Sequence, residues 1–394
     1  MKIIFYRPEY AKQFNTQTMM ADPVGGTEFA AGYLAEELAK SHNVFFICQT
    51  PKTARIDNIQ WLPPSDQKIG QADILILVGG LSNCLENYIP PVRKIILWAN
   101  GLSLKPNTIK HLCQNKIDQV VCTTRYARDQ VLHNTRKRMP LPQKLKYFTI
   151  RKWRRQFRGK FTFIYNGVNM ELFSEKLYRS TLKKPFKILY AGVFNEQKNP
   201  DKILAVFAAI RRALPQAELH MCGSITQYKT EGADQTTGYF DGDGFFEKIK
   251  KYVYGKENKI KPGIYLRGSL PPETLAREMM ESSLVVVNPC VGNQESSCIG
   301  ALEAQAAGTP VLGGGLSALE ETIQHNITGF VFREQKNLAP LVIRLLKNPM
   351  LLKKIGRQGR KRALSGFGWN RLAREWEKLF AMLLTGEKFI PKKH

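Results

Sequence analysis

This chain of 394 residues lacks the sequence marks of secreted, metal-stabilised or membrane-spanning proteins. Its seven cysteines are scattered and odd in number, without the CxxC or mixed His/Cys spacing of disulfide frameworks and zinc sites. No apolar run reaches the roughly 20 residues of a membrane span. The opening residues, KIIF, are typical of a strand, and no signal-peptide pattern precedes them. We therefore expect a cytoplasmic protein with free thiols.

Acidic residues are also scarce, since 59 Lys and Arg face 33 Asp and Glu, for a net charge of +26. Part of the excess lies between Asn134 and Lys160, a stretch with no acidic residue. As a solvated face it needs no function, but its aromatic residues favour contact with an anionic membrane surface, on the inner face of the membrane. Nucleic acid is a less favoured partner, because no nucleic-acid motif accompanies the charge. The predicted contact residues are Arg151, Lys152, Trp153, Arg154, Arg155, Phe157 and Arg158.

Short apolar runs alternate with amphipathic helices in both halves of the chain, which predicts an α/β fold of two doubly wound domains. The chain is also longer than a domain with a single hydrophobic core usually is. The predicted strands are Lys2–Tyr6, Asn43–Cys48, Ile74–Val78, Lys94–Ala99, Gln119–Cys122 and Phe161–Tyr165, then Phe186–Tyr190, Glu218–Cys222, Ile264–Arg267, Leu284–Asn288, Pro310–Leu312 and Gly329–Phe332. The predicted helices include Thr27–Lys40, Asp201–Ala213, Pro272–Glu281, Ile299–Ala307, Leu338–Leu346 and helices within Met350–Leu384.

Two carboxylates stand out in the segment NPCVGNQESSCIGALEAQAAGTPVL. Glu295 lies in a polar turn after an apolar strand, and Glu303 lies two turns into the helix that follows. An eight-residue offset puts both near one helix face. Glutamate pairs on helices are usually solvated, but Glu303 stands among small residues, where a surface glutamate is less expected. The free N–H groups at the helix start form an anion site beside Glu295, as a sugar diphosphate requires.

This segment resembles the donor-site motif of the retaining glycosyltransferases of family four. Their GT-B fold has two Rossmann-like doubly wound domains that face a central cleft. Asn166, Gly167, Val168 and Phe173 match the family's N-G-V-x-x-x-x-F pattern, which precedes the second domain. The resemblance implies an acceptor domain over residues 1–170 and a donor domain over residues 171–367. It also implies a final helix, about 368–394, that packs back onto the first domain.

The resemblance also assigns roles to individual residues. Glu295 would hold the hydroxyls of the donor sugar and act in catalysis, and Glu303 would hold the ribose. Lys198 matches the lysine of a G-R-x-x-x-x-K pattern that neutralises the diphosphate. Glycines that open the first long helix resemble the family's glycine loop. The remaining donor-binding candidates are Gly25 and Gly26 in that loop, and Ser297, Cys298, Ile299 and Gly300 at the second helix start.

The sequence departs from the family pattern at two positions. Val193 stands where the pattern has an arginine, so a second cation must come from elsewhere. Asn100 stands where many members have a histidine beside the transferred sugar. Its amide can still bind a hydroxyl but carries no proton charge near neutral pH. Asp241 and Asp243 form a D-x-D in a polar loop without a preceding apolar strand, so we expect no metal and no cofactor.

These observations predict a retaining, metal-independent glycosyltransferase that moves a sugar from a nucleotide-diphosphate sugar to a saccharide or glycolipid acceptor. The alternatives left open are an epimerase or phosphorylase of the same fold and a catalytically degenerate protein that binds sugar nucleotide or a partner. Val193 and Asn100 favour degeneracy, whereas the retained glutamates oppose it. The sequence indicates neither the nucleotide, the acceptor nor the oligomeric state.

Overall fold

The computed structural model describes residues 1–8, 13–21, 24–66, 69–79, 91–139, 157–174, 186–223 and 245–386. The chain forms two compact units. Unit 1 comprises Met1–Met19, Gly26–Gly167 and Trp369–His394, and unit 2 comprises Met20–Gly25 and Val168–Gly368. Sequence reasoning placed the domain limits at residues 170 and 368. Each unit is built on its own mainly parallel sheet, which is the expected α/β class.

Unit 1 contains an eight-stranded sheet in the order β3-β4-β2-β1-β5-β6-β7-β8. All neighbouring pairs are parallel except β3 with β4, a hairpin that turns through Asp57 and Asn58 at positive φ. Sequence reasoning missed this hairpin. It is held because Trp61 is fully buried and stacks on Phe46, with ring centroids 4.6 Å apart. The strands are β1 (Lys2–Arg7), β2 (Asn43–Cys48), β3 (Ala54–Ile56), β4 (Ile59–Leu62), β5 (Ala72–Val78), β6 (Val92–Ala99), β7 (Gln119–Cys122) and β8 (Phe161–Phe163).

The final helix of the described chain belongs to unit 1, where its apolar face is buried. Trp376 contacts Trp98 of β6 with ring centroids 4.9 Å apart, and His42 Nε2 lies 3.0 Å from Glu377 Oε1. Residues 387–394, part of the predicted final helix, lie outside the described residues. The other described helices of the N-terminal half are α1 (Thr18–Ala21), α2 (Gly26–Ala39), α3 (Pro106–Cys113) and α4 (Arg125–Arg138).

Unit 2 contains a six-stranded sheet in the order β11-β10-β9-β12-β13-β14, and every pair is parallel. Its strands are almost wholly apolar because helices cover both faces. The strands are β9 (Phe186–Ala191), β10 (Ala217–Cys222), β11 (Ile264–Gly268), β12 (Leu284–Val287), β13 (Val311–Gly314) and β14 (Phe330–Phe332). The helices are α5 (Pro200–Ala213), α6 (Phe245–Val253), α7 (Pro272–Met280), α8 (Ile299–Ala306), α9 (Leu319–Thr322), α10 (Leu338–Leu346) and α11 (Pro349–Gly366), and α12 (Trp369–Thr385) follows in unit 1.

The parallel arrangement of unit 2 determines where its chemistry is located. The carboxyl ends of parallel strands lie at one edge of a sheet, and ligands of open α/β sheets bind there. The loops that follow the adjacent strands β9, β12 and β13 therefore share one edge, together with the start of α8.

Much of the predicted membrane-contact segment lies outside the described residues, namely Arg151 to Arg155, as do Asp241 and Asp243. Phe157 is described, and the prediction that it contacts a membrane is wrong for this side chain. It is buried, with 1% of its surface exposed, because it packs into the core of unit 1. Among the helices described, none combines the length and apolar character needed to cross a bilayer.

Candidate functional site

Glu295 is a buried carboxylate held by a cation. It lies in the loop between β12 and α8, and only 4% of its surface is exposed. Lys198 Nζ donates to Glu295 Oε2 at 2.7 Å, and Asn288 Nδ2 donates to the same oxygen at 3.3 Å. An ionised carboxylate with so little water requires such partners, since an unpaired charge is costly in the interior. The structure therefore brings together two residues that sequence reasoning placed in one site, although 97 positions separate them.

The loop that carries Lys198 is held by hydrogen bonds from Tyr190, a fully buried residue of β9. The Tyr190 hydroxyl donates to the Lys198 carbonyl at 3.0 Å and lies 3.2 Å from that of Val193. Burial raises the pKa of Tyr190 well above its ordinary value, so the hydroxyl stays protonated and remains a donor. The Lys198 N–H donates to Asn195 Oδ1 at 2.9 Å. The Lys198 backbone is thus held in place.

A group of asparagine side chains, which sequence reasoning missed, joins the loop after β9 to the loop after β12. Asn288 is buried at the end of β12, with a positive φ of 38°. Its Nδ2 donates to the Gln197 carbonyl at 3.0 Å, and its Oδ1 accepts from Asn199 Nδ2 at 2.9 Å. Asn288 therefore contacts both Glu295 and the loop of Lys198. An asparagine directly after a buried strand was the signal available in the sequence.

Asn293 joins the backbone of Glu295 to strand β13. Its Oδ1 accepts from the Glu295 N–H at 3.1 Å, and its Nδ2 lies 2.6 Å from the Cys290 carbonyl and 3.2 Å from that of Gly314. The loop after β12 is packed so closely on β13 that a Cβ at Gly314 would lie 2.0 Å from the Cys290 oxygen. The Glu295 N–H and the loop that precedes it are therefore held against β13.

The start of α8 has the features of an anion site. The helix begins at Ile299 after the N-cap residue Cys298, whose side chain makes no capping hydrogen bond. Burial raises the pKa of the Cys298 thiol to about 12, so no thiolate forms there near neutral pH. A Cβ at Gly300 would lie 3.7 Å from its nearest neighbour, Val287, an ordinary contact. Packing alone therefore does not require glycine, whereas close approach of a ligand to the helix start favours it.

Glu303 lies on the same helix one turn further on, and it is half-buried. Its apolar surroundings penalise the charged form and raise the pKa of the carboxyl from 4.5 to about 7. The group thus changes charge near neutral pH. A carboxylate that accepts hydrogen bonds from ligand hydroxyls would be stabilised in its ionised form.

Three further positions singled out in the sequence are Gly25, Gly26 and Asn100. Gly26 opens α2 of unit 1, whereas Gly25 belongs to the segment Met20–Gly25 of unit 2. Asn100 follows β6 in unit 1, where its Nδ2 lies 3.5 Å from the Trp98 carbonyl. Val193 is buried in unit 2, with 6% of its surface exposed, so the position of the family arginine holds an interior apolar side chain.

The turn after β13, from Gly315 to Ala318, is fixed by an ion pair. Arg333 Nε and Nη2 donate to the two carboxylate oxygens of Glu320 at 3.0 and 3.2 Å. Glu320 Oε1 also accepts from the N–H of Leu316, which has a positive φ of 63° and is 55% exposed. This turn presents backbone at the same sheet edge as Glu295, because the Ala318 N–H donates to the Glu295 carbonyl at 3.2 Å.

Comparison with known proteins identifies the unit that carries this site. Residues 175–362 match the sequence model of the family described as glycosyl transferases group 1, and they lie within Val168–Gly368. Unit 2 is a group 1 glycosyltransferase domain. The D-inositol 3-phosphate glycosyltransferase of Streptomyces avermitilis is 22% identical over 246 residues, which is 60% of this chain and 50% of that protein. The chain thus spans about half the length of the curated relatives it matches.

Solved structures extend the likeness to the whole fold. Sucrose-phosphate synthase from Thermosynechococcus elongatus aligns with a TM-score of 0.67 at 17% identity, over 98% of this chain and 100% of that one. Anabaena HepE in complex with UDP-glucose aligns with a TM-score of 0.65 at 12% identity, over 97% of this chain and 99% of that one. The two Rossmann-like units of this chain have the GT-B fold.

The raised pKa of Glu303 predicts a pH-dependent stability. Because the folded state favours the protonated carboxyl, the free energy of unfolding should fall as the pH rises from about 4.5 to about 7. The loss should be at most about 3 kcal/mol. Glu303→Gln, which is neutral throughout, should remove this part of the dependence. Urea unfolding at several pH values measures it, with exposed Glu273→Gln as the matched control. Parallel curves for wild type and Glu303→Gln would contradict the assignment.

Proposed function

We propose that this protein is a retaining, metal-independent glycosyltransferase that uses a nucleotide-diphosphate sugar as donor. The observation that carries the proposal is the Lys198–Glu295 pair at 2.7 Å, in the same domain as the start of α8. This arrangement offers a cation and the N–H groups at a helix start to a diphosphate, and a carboxylate to sugar hydroxyls. Sequence membership of unit 2 in group 1 and the likeness to a structure that binds UDP-glucose support the same choice of donor.

The ion pair gives Lys198 a second role when donor binds. The ammonium neutralises the buried Glu295. A diphosphate at the start of α8 would attract the same ammonium, whose side chain is 33% exposed and therefore accessible to ligand. Hydroxyls of the donor sugar would then donate to the Glu295 oxygens in place of Lys198. The carboxylate would thus bind sugar only when a diphosphate takes the lysine, which couples recognition of the two parts of the donor.

The proposed reaction follows from these positions. The bond between the anomeric carbon and the diphosphate oxygen breaks, and negative charge grows on the leaving group. Lys198 and the N–H groups of Ser297, Cys298, Ile299 and Gly300 would stabilise that charge. The acceptor oxygen would bond to the same face of the sugar, and its proton would pass to the departing phosphate. Glu295 would orient the sugar, and Glu303 would bind the ribose hydroxyls.

We propose a saccharide or a glycolipid as the acceptor. Contact of residues 151–158 with an anionic membrane remains part of the proposal, without Phe157, which is buried. A degenerate protein that binds sugar nucleotide without transfer is the second candidate. The buried Val193 favours it, since that position supplies no second cation.

An activity assay decides between the two candidates. We expect the purified protein, given UDP-, GDP- or ADP-sugars and a mixture of saccharide and glycolipid acceptors, to release one nucleoside diphosphate with product formation. EDTA should leave the rate unchanged, and proton NMR should show the anomeric configuration of the donor in the product. An inverted product would contradict retention, and loss of activity in EDTA would contradict metal independence. Saturable nucleotide binding without transfer to any acceptor would favour the degenerate protein.

The coupling between Lys198 and Glu295 predicts opposite effects of two single variants. Lys198→Ala should weaken binding of the nucleoside diphosphate by about 1–3 kcal/mol, because a charge-assisted hydrogen bond is lost. Glu295→Gln releases the lysine, so it should bind the free diphosphate at least as tightly as wild type and yet lose sugar transfer. Isothermal titration with the diphosphate and with the sugar nucleotide measures both.

Lys256→Gln is the control for charge, since Lys256 is an exposed lysine of unit 2 outside the site. The pair would have no role in donor binding if Lys198→Ala bound the diphosphate like this control. Wild-type turnover by Glu295→Gln would remove Glu295 from the catalytic site.

A further inference from the structure

The helices α10 and α11 carry an unusual charge distribution. From Leu338 to Gly366 the chain contains eight Lys and Arg and no Asp or Glu. Two of these cations stabilise the folded structure through hydrogen bonds to backbone carbonyls. Arg360 is buried and donates to the Ala306 carbonyl and, at 2.8 Å, to that of Phe173. Arg362 donates to the Thr322 and Glu321 carbonyls.

The remaining cations of α11 lie on one face. At about 100° per residue, these four cations and two exposed apolar residues fall within an arc of about 100°, and the buried positions lie mainly on the other side. The residues of this arc are Met350, Lys353, Lys354, Arg357, Lys361 and Leu364. Pro349, Gln358 and Ser365 are also exposed and flank the arc. The buried residues are Leu352, Ile355, Gly356, Gly359, Arg360 and Ala363.

This cationic face, defined as those six exposed residues, has no internal counter-charge in the part of the chain that the structure describes. None of its four cations forms an ion pair there with a described carboxylate. Lys353 and Arg357, and Arg357 and Lys361, are also like charges at i and i+4, an arrangement that opposes helix formation. The helix keeps these charges although they repel one another. An anion outside the chain would relieve their repulsion.

Apolar side chains stand at both ends of the same face. Met350 is 76% exposed and Leu364 is 44% exposed, and these are two of the few large apolar side chains exposed among the described residues. Fourteen residues of helix separate them by about 21 Å. A rod that lies flat on a surface would thus present an apolar contact at each end and cations between.

We propose that the cationic face of α11 is a docking surface for an anionic lipid bilayer. The four cations fit the negative surface potential of acidic headgroups, and Met350 and Leu364 fit the boundary between headgroups and acyl chains. A nucleic acid or an acidic polysaccharide would use the cations but would give the two apolar side chains no partner. The surface lies in unit 2, and it is separate in sequence from the basic segment of residues 134–160.

Vesicle binding by the full chain tests this surface. Wild type should bind vesicles with 30% phosphatidylglycerol in phosphatidylcholine and should leave pure phosphatidylcholine vesicles unbound. A variant with Lys353→Gln, Lys354→Gln, Arg357→Gln and Lys361→Gln should bind the anionic vesicles at least tenfold more weakly, since each surface cation contributes about fivefold. Its circular dichroism melting curve should stay close to that of wild type, because all four side chains are exposed.

The matched control is a second quadruple variant of unit 2, which carries Lys251→Gln, Lys256→Gln, Lys259→Gln and Lys336→Gln, all at exposed positions. It removes the same charge from other surface sites of unit 2 and should bind the anionic vesicles within twofold to threefold of wild type. Equal losses in the two variants would overturn the proposal, because net charge alone would then explain the binding.

The two apolar residues of the cationic face allow a second experiment. Met350→Ser with Leu364→Ser should weaken vesicle binding severalfold and leave binding to heparin and duplex DNA unchanged. Vesicle binding unaffected by this double variant, with heparin or DNA binding lost in the α11 quadruple variant, would assign the face to a soluble polyanion and overturn the bilayer assignment. Nucleoside diphosphate binding should be unaltered in every variant, so this test is independent of the proposed transfer reaction.

Discussion

The central constraint on unit 2 is the buried carboxylate of Glu295. An ionised glutamate with 4% exposure is stable only with a cation and hydrogen-bond donors around it, and the chain supplies Lys198 and Asn288. Lys198 lies in the loop after β9, and Asn288 lies in the loop after the neighbouring strand β12. The need to neutralise one charge therefore fixes these two loops against each other. Asn293 and Gly314 then hold the same turn to β13. The same lysine provides the positive charge that a diphosphate requires, and the stability of the loop and the proposed chemistry therefore share one ion pair.

Sequence reasoning predicted the elements that depend on repeated patterns. The strands and helices that were predicted for unit 2 appear within one or two residues of their predicted limits, because a buried parallel strand has a continuous apolar run and its helices have one apolar face. The helices α6 and α9 were not predicted. The helix predicted over Ile299–Ala307, between the two glutamates, likewise begins at Ile299 in the structure. The β3–β4 hairpin was missed because its strands are short and its stability comes from Trp61 packing on Phe46, which is distant in sequence.

The asparagine network could not be predicted, since it depends on three loops that converge only after the sheet has formed. The position of Asn288 directly after a buried strand marked it as a candidate, but no sequence pattern identified Gln197 and Glu295 as its partners. The burial of Phe157 was missed for a related reason. Its aromatic and basic neighbours suggested a surface segment, but the position of one side chain at the end of such a segment is decided by the core of unit 1. The charge excess of the chain was visible from composition, whereas its organisation on α11 required the helix bounds.

The most direct test of the donor site is hydrogen–deuterium exchange of the full chain with and without a bound nucleoside diphosphate. The proposed site predicts protection of the amides of Cys298, Ile299 and Gly300 at the start of α8 and of the loop from Val193 to Lys198. Backbone N–H groups at a helix start donate to a bound anion and then exchange slowly. Protection confined to other parts of the protein, or no protection at saturating nucleotide, would contradict the account of unit 2 given above.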